Sequence, residues 1–542
     1  MKKKNNTIKN VPRFTLRVSR REGSALAYAL IIMLAVMIIL TSLISYIVSQ
    51  MNYSSNQAER QEAFEVAEAG VSWYNWYLAH QTDGKTAQQI NNFWQGTSPS
   101  PLGIGSLYQQ TFTAPDGQTL GSYSLDVQRP VLGSTIVIVK STGWTNRAPN
   151  EKRTIQVRFR RPSWSEYAVL ANDVMRFGQG TVINGKIQSN YGIRMDGTAN
   201  NVVSSSVASY DDPDHSGKVE YGVHTHLIPP ADTSLADPYL NNEAPANNGL
   251  IPPDRPDVFK AGRKFPVPTV SFTGVTSDLA YMKTQAQSGS GKYFDNTGKG
   301  RQIILNSNGT YTVYTVNSYD APPSPLPSST SNTNSITGYA GTKNSNGTGS
   351  ACTALVTMNG PNTQCKNKTT GSTCYCSSAT YTIPNNGIIF VEDNIWLEGT
   401  INKEKVTIVA ANMGSGTQAN IFVGNNNILY TNFDGQDILG VIAQDDVEVI
   451  KNSQTTLTLD GAFIAQNGRV GRDNYGTSDY KNSITVNGSI ATNQRYGFSW
   501  TDGFNSWGYD DRILNFDNNL IYYPPPYFPT GTEYSIDLWK EL

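Results

Sequence analysis

Between Ala25 and Val48 the chain is apolar almost without interruption, and no Asp, Glu, Lys or Arg occurs from Gly23 to Ala58. At about 1.5 Å of rise per residue, such a run crosses the roughly 30 Å hydrocarbon layer of a bilayer as one helix. Lys2, Lys3, Lys4, Lys9, Arg13, Arg17, Arg20 and Arg21 precede it, whereas the next cation after it is Arg60. This asymmetry predicts a single pass through the inner or cytoplasmic membrane, with the N-terminus in the cytoplasm and everything beyond about residue 50 outside. Phe64, Ala67, Val71, Tyr74 and Leu78 then recur at helical spacing with Glu59, Glu62, Glu65 and Glu68 among them. The helix is therefore expected to leave the membrane as an amphipathic stalk and to end before Asp83-Gly84, giving a span of 24–82 after a basic leader of 1–23.

The period next changes from helical to alternating. Arg153–Arg160 sets Ile155, Val157 and Phe159 against Thr154, Gln156, Arg158 and Arg160, as a half-solvated antiparallel strand does. With Gly121–Val127 and Thr135–Lys140 it predicts a small sheet over 121–162, its apolar face covered by the stalk. From 165 onward short β-rich runs are punctuated by Asn and Gly. Ile442-Ala-Gln444 recurs as Ile464-Ala-Gln466 and more weakly as Ile490-Ala-Thr492, at spacings of 22 and 26 residues, with Val409-Ala-Ala411 a further 33 upstream. Such recurrence predicts stacked coils of a parallel β-solenoid, early ones over 165–320 and later ones over 381–529. A β-sandwich with chance echoes is the alternative. The fold class expected is thus mainly β with one long N-terminal α-helix, a small antiparallel sheet and a solenoid. The Pro/aromatic tail Tyr522–Pro529 is expected to cover an end coil, and the Pro/Ser/Thr-rich stretch 321–350 to be a mobile loop within a lobe spanning 321–380.

Gly23-Ser24-Ala25-Leu26 followed by Ala63-Phe64-Glu65-Val66-Ala67-Glu68-Ala69-Gly70 resembles the N-terminal region of PilX-type minor pilins. The resemblance covers about 20–80. It implies that a prepilin peptidase cuts between Gly23 and Ser24, and that Tyr28, Phe64, Ala67, Glu68, Ala69 and Gly70 lie on a filament-forming helix. The implied partners are that peptidase, other pilin subunits, the pilus assembly machinery and the membrane; the implied destination is an extracellular filament or the cell surface. Tyr28 departs from the pattern, because most major pilins carry glutamate at this fifth mature position. Its absence points to a minor, tip-located or priming subunit.

Composition narrows the remaining chemistry. A formal charge of −1, with charged residues at 16%, argues against nucleic acid as a partner. The 29 Tyr and 9 Trp offer stacking surfaces for a glycan or another cell-surface ligand. Cys352, Cys365, Cys374 and Cys376 form an even set on the external side, so two disulfides are expected, Cys352 and Cys365 each taking one of the other two; a zinc site is the alternative. No catalytic residues, metal or cofactor are expected, and the chain is read as a non-enzyme. Asp434, Asp437, Asp445 and Asp446 could hold a carboxylate pair for glycoside chemistry, but aspartates beside Gly and Asn more often form turns. His224-Thr-His226 places two imidazoles on one face of a strand without an identifiable third ligand, and Asp473–Asp479 lacks EF-hand spacing. The competing function is a membrane-anchored surface solenoid that binds or cleaves polysaccharide.

Overall fold

The computed structural model describes residues 24–96, 101–130, 134–215, 217, 219–228, 245, 251–272, 275–321, 333–342, 364–366, 373–376, 378–414, 416–502, 505–531 and 534–542, with backbone alone for 24, 87, 88, 275–277, 341, 342, 364–366 and 373–376. Helix α1 runs Ser24–Thr82 without a break, about 88 Å at 1.5 Å per residue. A second helix, α2 (Ala87–Gln95), starts at a capping box between Thr86 and Gln89 and stops at Gly96, whose φ of 78° suits a left-handed C-cap.

The upper half of α1 packs on an antiparallel sheet. Its strands β1 (Tyr108–Thr113), β2 (Thr119–Gln128), β3 (Ile136–Thr145) and β4 (Arg153–Arg160) lie in chain order, and a fifth strand from the far end of the sequence, Ser535–Glu541, completes the edge beside β4. Two of the five strands escape the alternation rule. Every side chain of β1 is exposed or half-exposed, and the final strand buries none, so neither carries an apolar period. Asp537 fixes the last strand, receiving Arg158 Nε at 2.7 Å and lying 3.3 Å from Arg160 Nε.

Everything between β4 and that last strand is therefore an insertion into the small sheet. It is a large, mostly parallel stack. One face reads Lys292–Phe294, Ile388–Val391, Lys405–Ala410, Ile438–Ala443, the end of Thr456–Ala465, the end of Tyr480–Thr492, then Val169–Ala171, Ile187–Ser189, Val203–Ser205 and Arg263–Lys264. Sequence order breaks once, where Ile490–Thr492 pairs with Val169–Ala171. A second face shows the same seam, Arg512–Asn515 lying beside Thr181–Asn184. The chain winds outward from the seam to Arg263, resumes at the opposite end of the stack near Lys292, and winds back. An amide ladder crosses the junction: Asn200 donates to Asn184 (2.5 Å), Asn184 to Asn515 (2.7 Å), Asn515 to Asn487 (2.8 Å) and Asn487 to Asp460 (2.8 Å).

The first face is buried on both sides, as parallel sheets require. Ile408, Val441, Phe463, Ile490 and Val169 join the core inside the coils, whereas Val409, Ile442, Ile464, Ala491 and Leu170 join a second cluster with Leu279 and Met282 of helix Val275–Gln287 and with Leu520 and Phe528. The Pro/aromatic tail therefore lies along a flank instead of capping an end: Pro525 packs beside Gly440, Pro526 beside Gly387, and Thr407 Oγ1 donates to the Pro526 carbonyl. It also carries the chain back to the small sheet. Of 321–350, residues 322–332 and 343–350 lie outside the described residues, but Ile336–Tyr339 is a strand against Thr310–Tyr319 rather than loop, anchored by buried Ile336 and Tyr339.

Candidate functional site

Helix α1 has two different surfaces. From Ala25 to Ala58 every residue is exposed, including Leu30, Ile31, Ile32, Leu34, Ile38, Ile39 and Leu40. From Glu59 upward one side is covered by the sheet: Ala63, Val66, Ala67, Val71, Tyr74 and Leu78 are buried. It is the one described helix long and apolar enough to cross a membrane. Small residues set how closely helix and sheet approach. A Cβ placed on Gly143 of β3 would stand 2.4 Å from the Ala63 carbonyl oxygen and 2.4 Å from the Ala67 nitrogen, and one on Gly70 would stand 2.4 Å from Ser141 Oγ. Among the expected helix residues, Ala67 and Gly70 thus form the contact with the sheet. Phe64 packs edge-on against Trp539 of the last strand at 5.7 Å. Glu68 faces solvent, Ala69 is half-buried and Tyr28 is exposed on the apolar half. Ser24 begins the helix; Gly23 lies outside the described residues.

On the solenoid, a cleft of about 1050 Å³ opens between the coils on both sides of the seam. Arg176, Arg194, Asp196, Asp446, Arg469 and Trp500 are among its walls. Burial, with the neighbouring Asp446 adding to it, pushes the Asp445 carboxyl up to about 6. Burial also raises Asp446, and raises Glu448 well above the ordinary range with Asp473 contributing. Three of the four suspected aspartates, Asp434, Asp437 and Asp446, accept hydrogen bonds from the backbone. Asp437 accepts from Thr431 N and Thr431 Oγ1, each at 2.7 Å, and from Asn432 N at 2.9 Å; Asp434 accepts from Gln436 N at 3.0 Å; Asp446 accepts from Arg469 N at 2.7 Å. Asp473 pairs with Arg469 and Asp479 with Arg472, so these two carboxylates meet arginines and do not converge on a cation site.

His224 and His226 have a different setting. The hairpin Ser209–Asp211/Val219–Tyr221 leaves the coil and folds back, bringing Asp212 and Glu220 to the strand Val223–His224. One ligand atom from each of Asp212, Glu220, His224 and His226 lies within 4.8 Å of all the others. The two acids were not legible as partners because a fold-back, not a spacing motif, delivers them. The cysteines are not brought to a describable site: Cys352 lies outside the described residues, and Cys365, Cys374 and Cys376 are described in backbone only, Cys365 standing opposite Cys374 in an antiparallel pair. No disulfide occurs among the described residues, and the two expected bonds gain no support.

Comparison with known proteins gives a local family match and a distant structural likeness. Residues 22–72 match the PilX N-terminal family. No curated protein matches the chain. Among solved structures, the competence-associated pilin ComZ from Thermus thermophilus is 13% identical, covering 89% of this chain and 98% of its own, with a TM-score of 0.27. The chain is thus pilin-like at its N-terminus, and the described residues beyond it are mostly β-strand.

Proposed function

We propose that this protein is a minor, tip-located or priming subunit of a type IV pilus or pseudopilus, cut between Gly23 and Ser24 and then drawn from the membrane into a filament. The observation that carries this reading is the division of α1 into a bare apolar half and a half covered by its own sheet. A helix that merely anchored the protein would need no further partner outside the lipid. One that enters a filament exchanges lipid for the helices of neighbouring subunits, and nothing from Ala25 to Ala58 is covered by its own fold. Tyr28 removes the buried carboxylate that repeated stacking uses, which favours low copy number. The exterior stack then serves as the displayed surface, and the cleft near Trp500 is where a glycan or other surface ligand would stack.

The test is the N-terminus of membrane-extracted protein, read by mass spectrometry beside Gly23→Glu. Ser24 as the terminus in the wild type, with an intact leader in the variant, is the expected result. An intact leader in both overturns the reading and leaves a singly anchored surface protein. Even distribution along purified filaments at high copy number overturns the minor-subunit part alone.

A further inference from the structure

The chain has only four histidines, and three of them, His215, His224 and His226, gather around one buried carboxylate, Glu220. Glu220 Oε1 lies 2.8 Å from His215 Nδ1 and 2.7 Å from His226 Nε2, both with hydrogen-bond geometry. The other oxygen, Glu220 Oε2, is 2.7 Å from His224 Nε2, and Asp212 Oδ2 is 3.5 Å from that same nitrogen. These three atoms are buried, and their approaches to one another fall outside hydrogen-bond geometry. His224, Glu220 and Asp212 are at most 1% exposed, so bulk solvent does not reach them.

The tautomer sharpens the conflict. His224 Nδ1 lies 3.2 Å from the Tyr221 carbonyl oxygen, which can only accept, so Nδ1 carries the proton. In the neutral ring Nε2 then presents a lone pair toward two carboxylate oxygens. Three lone pairs converging in a dry pocket need a positive charge between them, which either a second proton on the ring or a metal ion supplies; the four ligand atoms gathered within 4.8 Å favour the metal. The neighbouring groups behave as outer supports of such a centre: Asp212 Oδ1 accepts from Asp214 N at 3.0 Å, and His226 N donates to Asp196 Oδ1 at 2.9 Å.

We infer that Asp212, Glu220, His224 and His226 bind one divalent transition cation of the zinc type. Two imidazoles select such a metal over Ca²⁺ or Mg²⁺, which take oxygen ligands. A tetrahedral site with metal–ligand bonds of about 2.0–2.1 Å sets its ligand atoms about 3.3 Å apart. The 2.7 and 3.5 Å separations at His224 Nε2 bracket that value, and the widest pair, within 4.8 Å, must draw in. Four protein ligands close the coordination sphere, which makes the centre structural. It ties the Ser209–Tyr221 hairpin to the strand Val223–His224, which pairs with Ile193–Met195 beyond the seam.

Full-length protein in detergent, stripped with chelator, incubated with ZnCl₂ and desalted, is expected to retain about one Zn²⁺ per chain by elemental mass spectrometry. Glu220→Gln and His226→Gln should each lose that zinc while keeping the far-ultraviolet circular dichroism of the wild type. Should a variant misfold, the wild type still decides: Co²⁺ in place of Zn²⁺ should give the intense visible d–d bands of a tetrahedral site, and Zn²⁺ should raise the melting temperature. Wild type that retains no metal and gives no such bands overturns the inference, as does a folded variant that retains as much zinc as the wild type. Neither result bears on whether the leader is cut.

Discussion

Replacing Gly143 by alanine should loosen the small sheet from α1, although the same exchange at an open strand position would stabilise it. Gly143 sits within β3, opposite Tyr123, and does not have a positive φ. Backbone entropy alone therefore favours alanine by about 0.5–1 kcal/mol. The added methyl, however, would stand 2.4 Å from two main-chain atoms of α1, the Ala63 oxygen and the Ala67 nitrogen. Neither can rotate aside, so helix and sheet must separate by about 1 Å to reach ordinary contact. A gap of that size forfeits a quarter to a half of each dispersion well, here across Ala63, Val66, Ala67, Val71 and Tyr74. The net cost expected is about 1–3 kcal/mol. Urea unfolding of the full-length protein in detergent, followed by tryptophan fluorescence, reads it as a lower midpoint for the phase that reports Trp73 and Trp94. Gly84→Ala is the control: nothing lies within 4 Å of its added methyl, and its φ of 65° leaves only a strain of about 1 kcal/mol. If Gly143→Ala matched or exceeded the wild-type midpoint, close approach would not govern this interface and the role assigned to the small residues of α1 would fail.

Other outcomes follow from burial and charge. Ile490→Ala empties a fully buried position at the seam and should cost about 2–5 kcal/mol, measured by the denaturation midpoint of the solenoid; a loss under about 1 kcal/mol would mean that the two halves do not rely on that contact. Arg472, fully buried, donates to the carbonyls of Ile450 (2.5 Å) and Lys451 (3.1 Å) and pairs with Asp479, so Arg472→Met should destabilise by about 3–5 kcal/mol and reduce soluble yield. Asp445 titrates near 6 when folded and near 3.9 when unfolded, so the folded state holds the extra proton between these values. Its contribution to stability should fall as pH rises from about 4 to about 6 and stay at its lowest above. Asp445→Asn should flatten that slope and raise stability at pH 7; an unchanged pH profile would show that another group sets it.

Those features that are local in sequence could be read from it. The apolar run Ala25–Val48 and the alternation of Ile155, Val157 and Phe159 mark their elements because each side chain's environment is set by its own strand or helix. The Ile-Ala echoes locate the stack, with Val409, Ile442 and Ile464 in register, but the fourth copy slips: Ile464 stands opposite Ala491 and Ile490 opposite Phe463. The reason is that the echoed isoleucines face the flank covered by the tail, whereas Phe463 and Ile490 fill the interior. What the sequence could not reveal is non-local. The seam, the Ser535–Glu541 strand and the meeting of Asp212 and Glu220 with the histidines each depend on chain segments joined by folding and not by spacing.

The seam also orders events in time. As the polypeptide is synthesised from its N-terminus, Val169–Ala171 emerges some 320 residues before its partner Ile490–Thr492, and β4 waits still longer for Ser535–Glu541. Until then the early coils and the small sheet both present open edges. A chain interrupted anywhere upstream of 490 would keep both edges bare, visible to proteases and chaperones. The architecture thus works as a check on synthesis, since only a chain translated through Ser535–Glu541 can close both sheets.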